Sequence, residues 1–476
     1  MTGGRGSGQS LDVEQLFAPF ARKMQREEVP QLVVDQFRGY LQELLSSRRS
    51  IGIMPEESIS PLGEDDLPAQ SELGEEHAEA GKALLQEAVM IKLNGGLGTS
   101  MGMPHAKSLL TVRSGYTFLD LIRLQAEKDG LPLLLMDSFN TREDVAAYWE
   151  RRGVPPQKQP ESFVQNKFPK ILRESMEPAN WPDRPDLEWN PPGHGDIYSA
   201  LQTSGILERL IREGRRYAFI SNADNLGAVV DPAILGFMAQ KQCMFLMEVA
   251  RRSGQDKKGG HLALSGEGKL LLREAAQCPD SELECFQDVE RHRFFNTNNV
   301  WIDLVRLRDF ISQNGLPQLP LIVNPKSLDP RDESTPAVYQ LETAMGAAIS
   351  TFPDSLALQV SRDRFLPVKK TNDLLVLRSD CYILNEHFRL LPNPERDRPQ
   401  VLVDLDPRYY KLVDDFEARF PHGPPSLLQC DSLKVSGDVL FGKDVSCHEH
   451  VEVINESGRQ RRIADGDTLR GKVVLS

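Results

Sequence analysis

Little in this chain suits a disulfide frame, a membrane span or a nucleic-acid surface. Six cysteines stand at 243, 278, 285, 381, 430 and 447, with no CxxC pair among them. They read as reduced thiols, not as a disulfide scaffold or zinc site. No apolar run reaches the length of a membrane span, and the start, MTGGRGSGQS, has no apolar signal core. The cytoplasm is the expected compartment. Positive charge is also short: the net charge is −13, so the basic footprint that nonspecific nucleic-acid binding needs is missing. Between residues 55 and 79 there are nine acidic residues and no Lys or Arg, which reads as a solvated connector.

What is present is a 476-residue chain, 40% hydrophobic, long enough for two or three domains. Residues 11–47 read as two amphipathic helices broken near Val29 and Pro30, with Phe17, Phe20 and Met24 on one apolar face and Val33, Phe37, Leu41 and Leu44 on the other. From 88 to about 380, buried strands alternate with helices: AVMI at 88–91, LPLLLM at 131–136, YAFIS at 217–221 and CMFLMEV at 243–249. That alternation predicts an α/β, mostly parallel sheet, with ligands at the carboxyl ends of its strands. After Asn385 a proline-rich run is followed by short, evenly spaced strands, which suggest a small β-sheet or β-helix. The expected organisation is a helical N-terminal segment with its acidic connector at 1–80, a core at 81–384 and a β domain at 385–476.

The stretch with most chemistry is KLNGGLGTSMGMPHAKS at 92–108, between a strand and a helix. Gly95, Gly96, Gly98 and Gly102 remove side chains that would hold a ligand off the backbone, and exposed N–H groups in such a loop cradle phosphate oxygens. Lys107 adds a full charge on the same wall. The loop lacks the Walker spacing, because Gly98 and the Lys107-Ser108 pair are too far apart. It also lacks the third glycine of the GxGxxG dinucleotide pattern. Two further turns after strands, DSFNT at 137–141 and NADN at 222–225, are expected to line the same crevice.

LNGGLGTSMG followed by KS resembles the signature of the UTP–glucose-1-phosphate uridylyltransferase family. The chain departs from the usual Gly-Pro before the lysine and carries Met103-Pro104-His105-Ala106. Seven further blocks resemble the same family in the family's order: FVQNKFP at 163–169, NPPGHGD at 190–196, SNADNLG at 221–227, FNTNNVW at 295–301, QLETAMGAA at 340–348, RFLPVKKTNDLL at 364–375 and DSLKVSGDVLFG at 431–442. The resemblance implies a Rossmann-like nucleotidyltransferase fold and a C-terminal left-handed β-helix often used for subunit contacts. The reaction it implies joins UTP and glucose 1-phosphate into UDP-glucose, with pyrophosphate leaving. By the same resemblance, Lys107 and Lys369 serve the reacting phosphates and Asp224 holds Mg²⁺. Leu93, Asn94, Gly95, Gly96, Gln165, Gly193, Asn222 and Ala223 surround the nucleotide, with Gln165 on the uracil edge. His194, Gly259, Gly260, Asn298, Asn299 and Glu342 surround the sugar phosphate with Gly95 and Gly96. Without the resemblance, Asp224 reads equally as a helix cap or Asx-turn residue, and both lysines as surface charge. Other readings are a UDP-sugar or UDP-N-acetylhexosamine pyrophosphorylase, and a nucleotide-binding regulator without catalysis.

Overall fold

The computed structural model describes residues 13–46, 52–254, 256–257, 259–330 and 332–475. The polar stretch at 1–10 and the ends of the expected 11–47 helical segment lie outside them. The chain divides into two compact units, each discontinuous in sequence. One takes the described residues up to Glu87 with Phe163–Ala218 and Ala233–Gln359; the other takes Ala88–Ser162, Phe219–Pro232 and the described residues from Val360 onward. Among the described residues, no helix is long and apolar enough to cross a membrane.

In the first unit the two expected N-terminal helices are Val13–Arg26 and Gln31–Ser46. Phe20, Met24, Val33, Phe37 and Leu41 are fully buried, as their spacing requires. Phe37 sits between Phe20 and Phe168, with ring centroids 5.3 Å away on each side. Strand Phe245–Arg251 pairs antiparallel with Phe294–Asp303 and parallel with Ser355–Gln359. Strand His261–Ser265 pairs antiparallel with Leu270–Arg273 and with Ile59–Ser60. A long hairpin, Leu321–Asp329 with Asp332–Thr343, adds strands that the strand–helix alternation did not anticipate.

The acidic connector is not simply solvated. Ile59, Leu62 and Leu67 are buried. The Glu56 carboxylate accepts hydrogen bonds from Arg273 Nη1 at 2.7 Å and Arg291 Nε at 2.7 Å, with His292 Nε2 3.0 Å away. Arg273 is fully buried, so its charge has to be matched from inside the fold. One of the nine acidic residues, Glu56, thus serves a buried cation, while the other eight are exposed as expected of a solvated connector.

The second unit is built on strand Ala88–Asn94, buried at all seven positions and parallel to Leu133–Asp137. A strand buried on both faces reads as a continuous apolar run, which is why it is legible in the sequence. Helix Phe118–Asp129 begins at Thr117, whose Oγ1 accepts from Asp120 N, while Asp120 Oδ2 accepts from Thr117 N. It stops at Gly130, which has φ +64°. Towards the C-terminus, strands Leu402–Leu405, Ser426–Ser436, Ser446–Asn455 and Thr468–Leu475 form a parallel sheet in that order. Val439–Leu440 and Arg461–Arg462 pair in a second, also parallel. Leu433 stacks on Val451 and Val435 on Val453, all buried. These rungs share one hydrophobic cluster with Met101, Phe118, Leu121 and Ile122 around the glycine loop. The fold is thus a mixed α/β one, with its antiparallel pairs concentrated in the first unit.

Candidate active site

In the second unit, strand Ala88–Asn94 delivers the chain into the glycine loop, and neighbouring strand ends hold that loop in place. Ala223 N donates to Leu93 O at 3.1 Å, which sets the Asn222–Asp224 turn beside the loop's entry. Asn94 Nδ2 donates to Asp137 Oδ1 at 2.7 Å, and Ser138 Oγ donates to Gly95 O at 2.9 Å. The loop closes on itself through Lys107 N to Gly96 O at 3.1 Å. Ala106 N donates to Asp144 Oδ2 at 3.1 Å, so the Met103–Ala106 departure is tied down just before Lys107.

The glycines do different jobs. A Cβ on Gly98 would come within 2.8 Å of the Met103 side chain, and Gly102 has φ +76°. A Cβ on Gly96 would meet no atom within 4 Å. Gly98 and Gly102 therefore shape the loop, whereas Gly96 leaves its backbone open to a ligand. The Lys107 ammonium donates to the Asp224 carboxylate, and both side chains are less than a fifth exposed. Lys92, one strand position before Leu93, is not available in the same way. It is fully buried, donating to Ser221 Oγ and Ala228 O at 2.7 Å each.

Lys369 reaches this region through a neighbour of Asp224. Asn225 Oδ1 accepts from Leu366 N at 2.8 Å, its Nδ2 donates to Arg364 O at 3.0 Å, and Asn225 bridges Pro367. The RFLPVKK segment is thereby stitched to the NADN turn. Lys369 itself is exposed, with its ammonium 5.9 Å from the Phe365 ring centroid and its backbone N–H on Asp373.

In the first unit a second group gathers around the turn after strand Asp332–Thr343. Gly193 has φ +79°, and a Cβ there would lie 2.5 Å from Thr343 O. Only glycine fits. Met345 N donates to His194 Nδ1 at 2.8 Å. Burial lowers the His194 pKa to about 4, so the ring is neutral and its Nε2 carries the proton. His194 is therefore a hydrogen-bond donor here and not a base. Gly260 O accepts from Asn296 N at 3.3 Å, and Asn296 Nδ2 donates to Asn298 Oδ1 at 2.9 Å. Glu342 lies beside Gly193, and burial raises its pKa. Asn299 is fully buried, with its amide donating to Glu248 Oε2 at 3.0 Å. Gln165 is almost fully buried next to Asn166, and Gly259 precedes Gly260 at intermediate exposure.

Several residues that matter to this geometry lie in stretches the sequence marks, but no role for them is readable there. Asn225 bonds Arg364 and Leu366 through its side-chain amide, whereas that of Asn296 bonds Asn298 within its own strand. Asp137 is the clearest case. It is fully buried, its Oδ2 has no hydrogen-bond partner, and burial pushes its pKa up to about 6. Its pairing with Asn94 follows from strand register, which sets the two opposite each other. A carboxyl whose folded pKa is raised from 3.8 contributes most below 3.8, and that contribution is lost as pH rises through 6. The cost of ionising it is about 3 kcal/mol. Asp137→Asn keeps the acceptor for Asn94 and is expected to raise the unfolding temperature at pH 8 more than at pH 5. An equal or lower value at pH 8 would show that Asp137 is not held against its charge.

Residues 34–448 match the family model described as UTP--glucose-1-phosphate uridylyltransferase. The UTP--glucose-1-phosphate uridylyltransferase of Musa acuminata is 40% identical over 430 residues, covering 89% of this chain and 87% of the relative. Among solved structures, a Leishmania major UDP-glucose pyrophosphorylase mutant in complex with UDP-glucose superposes with a TM-score of 0.90 at 40% identity, covering 98% of this chain and 100% of that one. A Trypanosoma brucei UDP-glucose phosphorylase gives 0.87 at 42% identity over 97% and 100%. The chain belongs to the UTP--glucose-1-phosphate uridylyltransferase family.

Proposed function

We propose that this protein transfers the uridylyl group of UTP to glucose 1-phosphate. A phosphate oxygen of the sugar attacks the α-phosphorus, a P–O bond forms in line with the bond that breaks, and pyrophosphate leaves with that bond's electrons. The attacking phosphate is already ionised, so no side chain has to remove a proton. The observation that carries the reading is the Lys107–Asp224 pair beside the glycine loop. It puts a mobile cation and an oxygen donor where strand ends and bare N–H groups suit phosphates.

In this reading Leu93, Asn94, Gly95 and Gly96 carry the nucleotide phosphates on backbone N–H groups, with Asn222 and Ala223 against the ribose. Lys107 and Lys369 act on the reacting phosphates, where fixed positive charge counts most as charge shifts towards the leaving group. Gln165 pairs with the uracil edge, donating to a carbonyl and accepting from N3–H. Gly193 gives the nucleotide close backbone approach, and the Nε2–H of His194 serves the sugar phosphate. Gly259, Gly260, Asn298, Asn299 and Glu342 serve the sugar hydroxyls. Asp224 is the protein ligand for Mg²⁺, an ion that commonly takes one or two carboxylates and finds its other oxygens on phosphate and water. Among the described residues there is no cluster of three or more His, Cys, Asp and Glu to form an all-protein cage. A lone Asp fits the substrate-borne kind of site. Asp224 would hold Mg²⁺ there, and the ion would supply charge neutralisation for the reacting phosphates.

The same reading makes 81–384 the segment that carries the chemistry. Residues 385–476 form a left-handed β-helix suited to contacts between copies, and the compartment is the cytoplasm. The test is pyrophosphate release from UTP, Mg²⁺ and a panel of sugar 1-phosphates. Release with glucose 1-phosphate, and UDP-glucose as product, is the expected result. Preference for an N-acetylhexosamine 1-phosphate would move the assignment to another sugar. UTP binding without turnover on any sugar would make the protein a regulator.

A further inference from the structure

Asp196 lies two residues after His194, in the turn His194–Asp196 that opens helix Ile197–Thr203. It is 3% exposed, and burial pushes its pKa up to about 7, so the fold bears a cost to keep a carboxyl there. That carboxyl has a specific task. It accepts Asn166 N at 2.6 Å, and Asn166 Nδ2 at 2.8 Å and 3.1 Å. Asn166 Oδ1 in turn accepts Thr203 Oγ1 at 3.2 Å from the end of the helix. Both hydrogen-bonding ends of Asn166 are therefore engaged, and its backbone is held at the N–H that follows Gln165. Gln165 is itself almost fully buried. An amide that must choose between two base edges needs its backbone fixed, because a slack main chain lets it shift to suit either.

We propose that Asp196 is a positioning residue for base recognition, clamping Asn166 so that Gln165 is held in the register that reads uracil. The clamp also joins that segment to the turn bearing His194, so two sequence blocks some 30 positions apart act as one rigid unit. The inference rests on the reading of Gln165 as the uracil contact. Cytosine is the informative competitor, since it presents an acceptor at N3 and an amino group where uracil has N3–H and a carbonyl.

The test measures kcat and KM for UTP and CTP with Asn166→Ala, Asp196→Asn, the double variant and Gln165→Ala. Loss of the Gln165 hydrogen bond to uracil corresponds to about a 10-fold rise in the KM for UTP. The preference for UTP over CTP should narrow by a similar factor, with kcat changing much less. The double variant should be no worse than Asn166→Ala alone, because that variant already removes the side-chain part of the clamp that Asp196→Asn weakens. Asn166→Ala keeps the test alive if Asp196→Asn does not fold. Unchanged KM and base preference in folded Asn166→Ala would overturn the clamp, as would additive losses in the double variant. If Gln165→Ala changes base preference while the clamp variants do not, the uracil reading stands and the inference fails. If Gln165→Ala leaves base preference unchanged, both fail.

Discussion

Lys107→Ala should fold normally and lose roughly 10²–10³-fold in kcat, the cost of removing one preorganised donor from a water-poor site. Two features of the structure support this size. The ammonium is mostly buried, so its charge is weakly screened, and the residue's backbone N–H donates to Gly96, where a Cβ would meet open space. Its resting partner is Asp224. The pair holds the ammonium in place in the free protein, so little ordering is needed before it meets a phosphate. Lys369→Ala should also lower kcat, since Lys369 is stitched to the same turn through Asn225. The double variant should lose less than the product of the two single losses, because both charges act on one transition state. Lys107→Arg should rescue poorly, since a planar fork does not replace a point charge at the same reach. Near-wild-type kcat in either folded single variant would remove that lysine from the reaction.

Asp224→Asn is the second large effect. The substitution is nearly isosteric, so the fold should survive, as circular dichroism would show. In the proposed reading two things are lost together: the ionic partner of Lys107 and the carboxylate that would hold Mg²⁺. Electrostatic help from such an ion is worth several kcal/mol, and loss of about 3–4 kcal/mol is a fall of 10²–10³-fold in rate. The diagnostic is the metal dependence. The variant should need more Mg²⁺ for half-maximal rate, and the wild-type enzyme should stop turning over after exhaustive chelation. An unchanged Mg²⁺ requirement would make Asp224 only the partner of Lys107.

Much of this arrangement was legible because it is local. The glycine loop and the two N-terminal helices announce themselves through spacing, and the helices' observed bounds lie close to those expected. The parts that were not legible depend on register or on distant partners. Asp137 becomes significant only when strand pairing sets it opposite Asn94. Asp196 looks like one more turn residue until Asn166 is seen against it. Glu56 belongs to an acidic run whose composition points to solvent, yet it faces buried Arg273. The hairpin Leu321–Thr343 was missed because its outer positions are largely polar and give no continuous apolar run. Each is a case of tertiary pairing overriding what the residue's neighbours in sequence suggest.

In the proposed reaction the attack on the α-phosphorus is direct and in line, with the protein supplying position and charge but no covalent relay. The most direct measurement uses UTP with a chiral α-thiophosphate of known configuration, followed by phosphorus NMR of the UDP-glucose analogue formed. A single in-line displacement inverts the configuration at phosphorus, and inversion is the predicted result. Retention would mean two successive displacements through a uridylylated side chain, and would contradict the account.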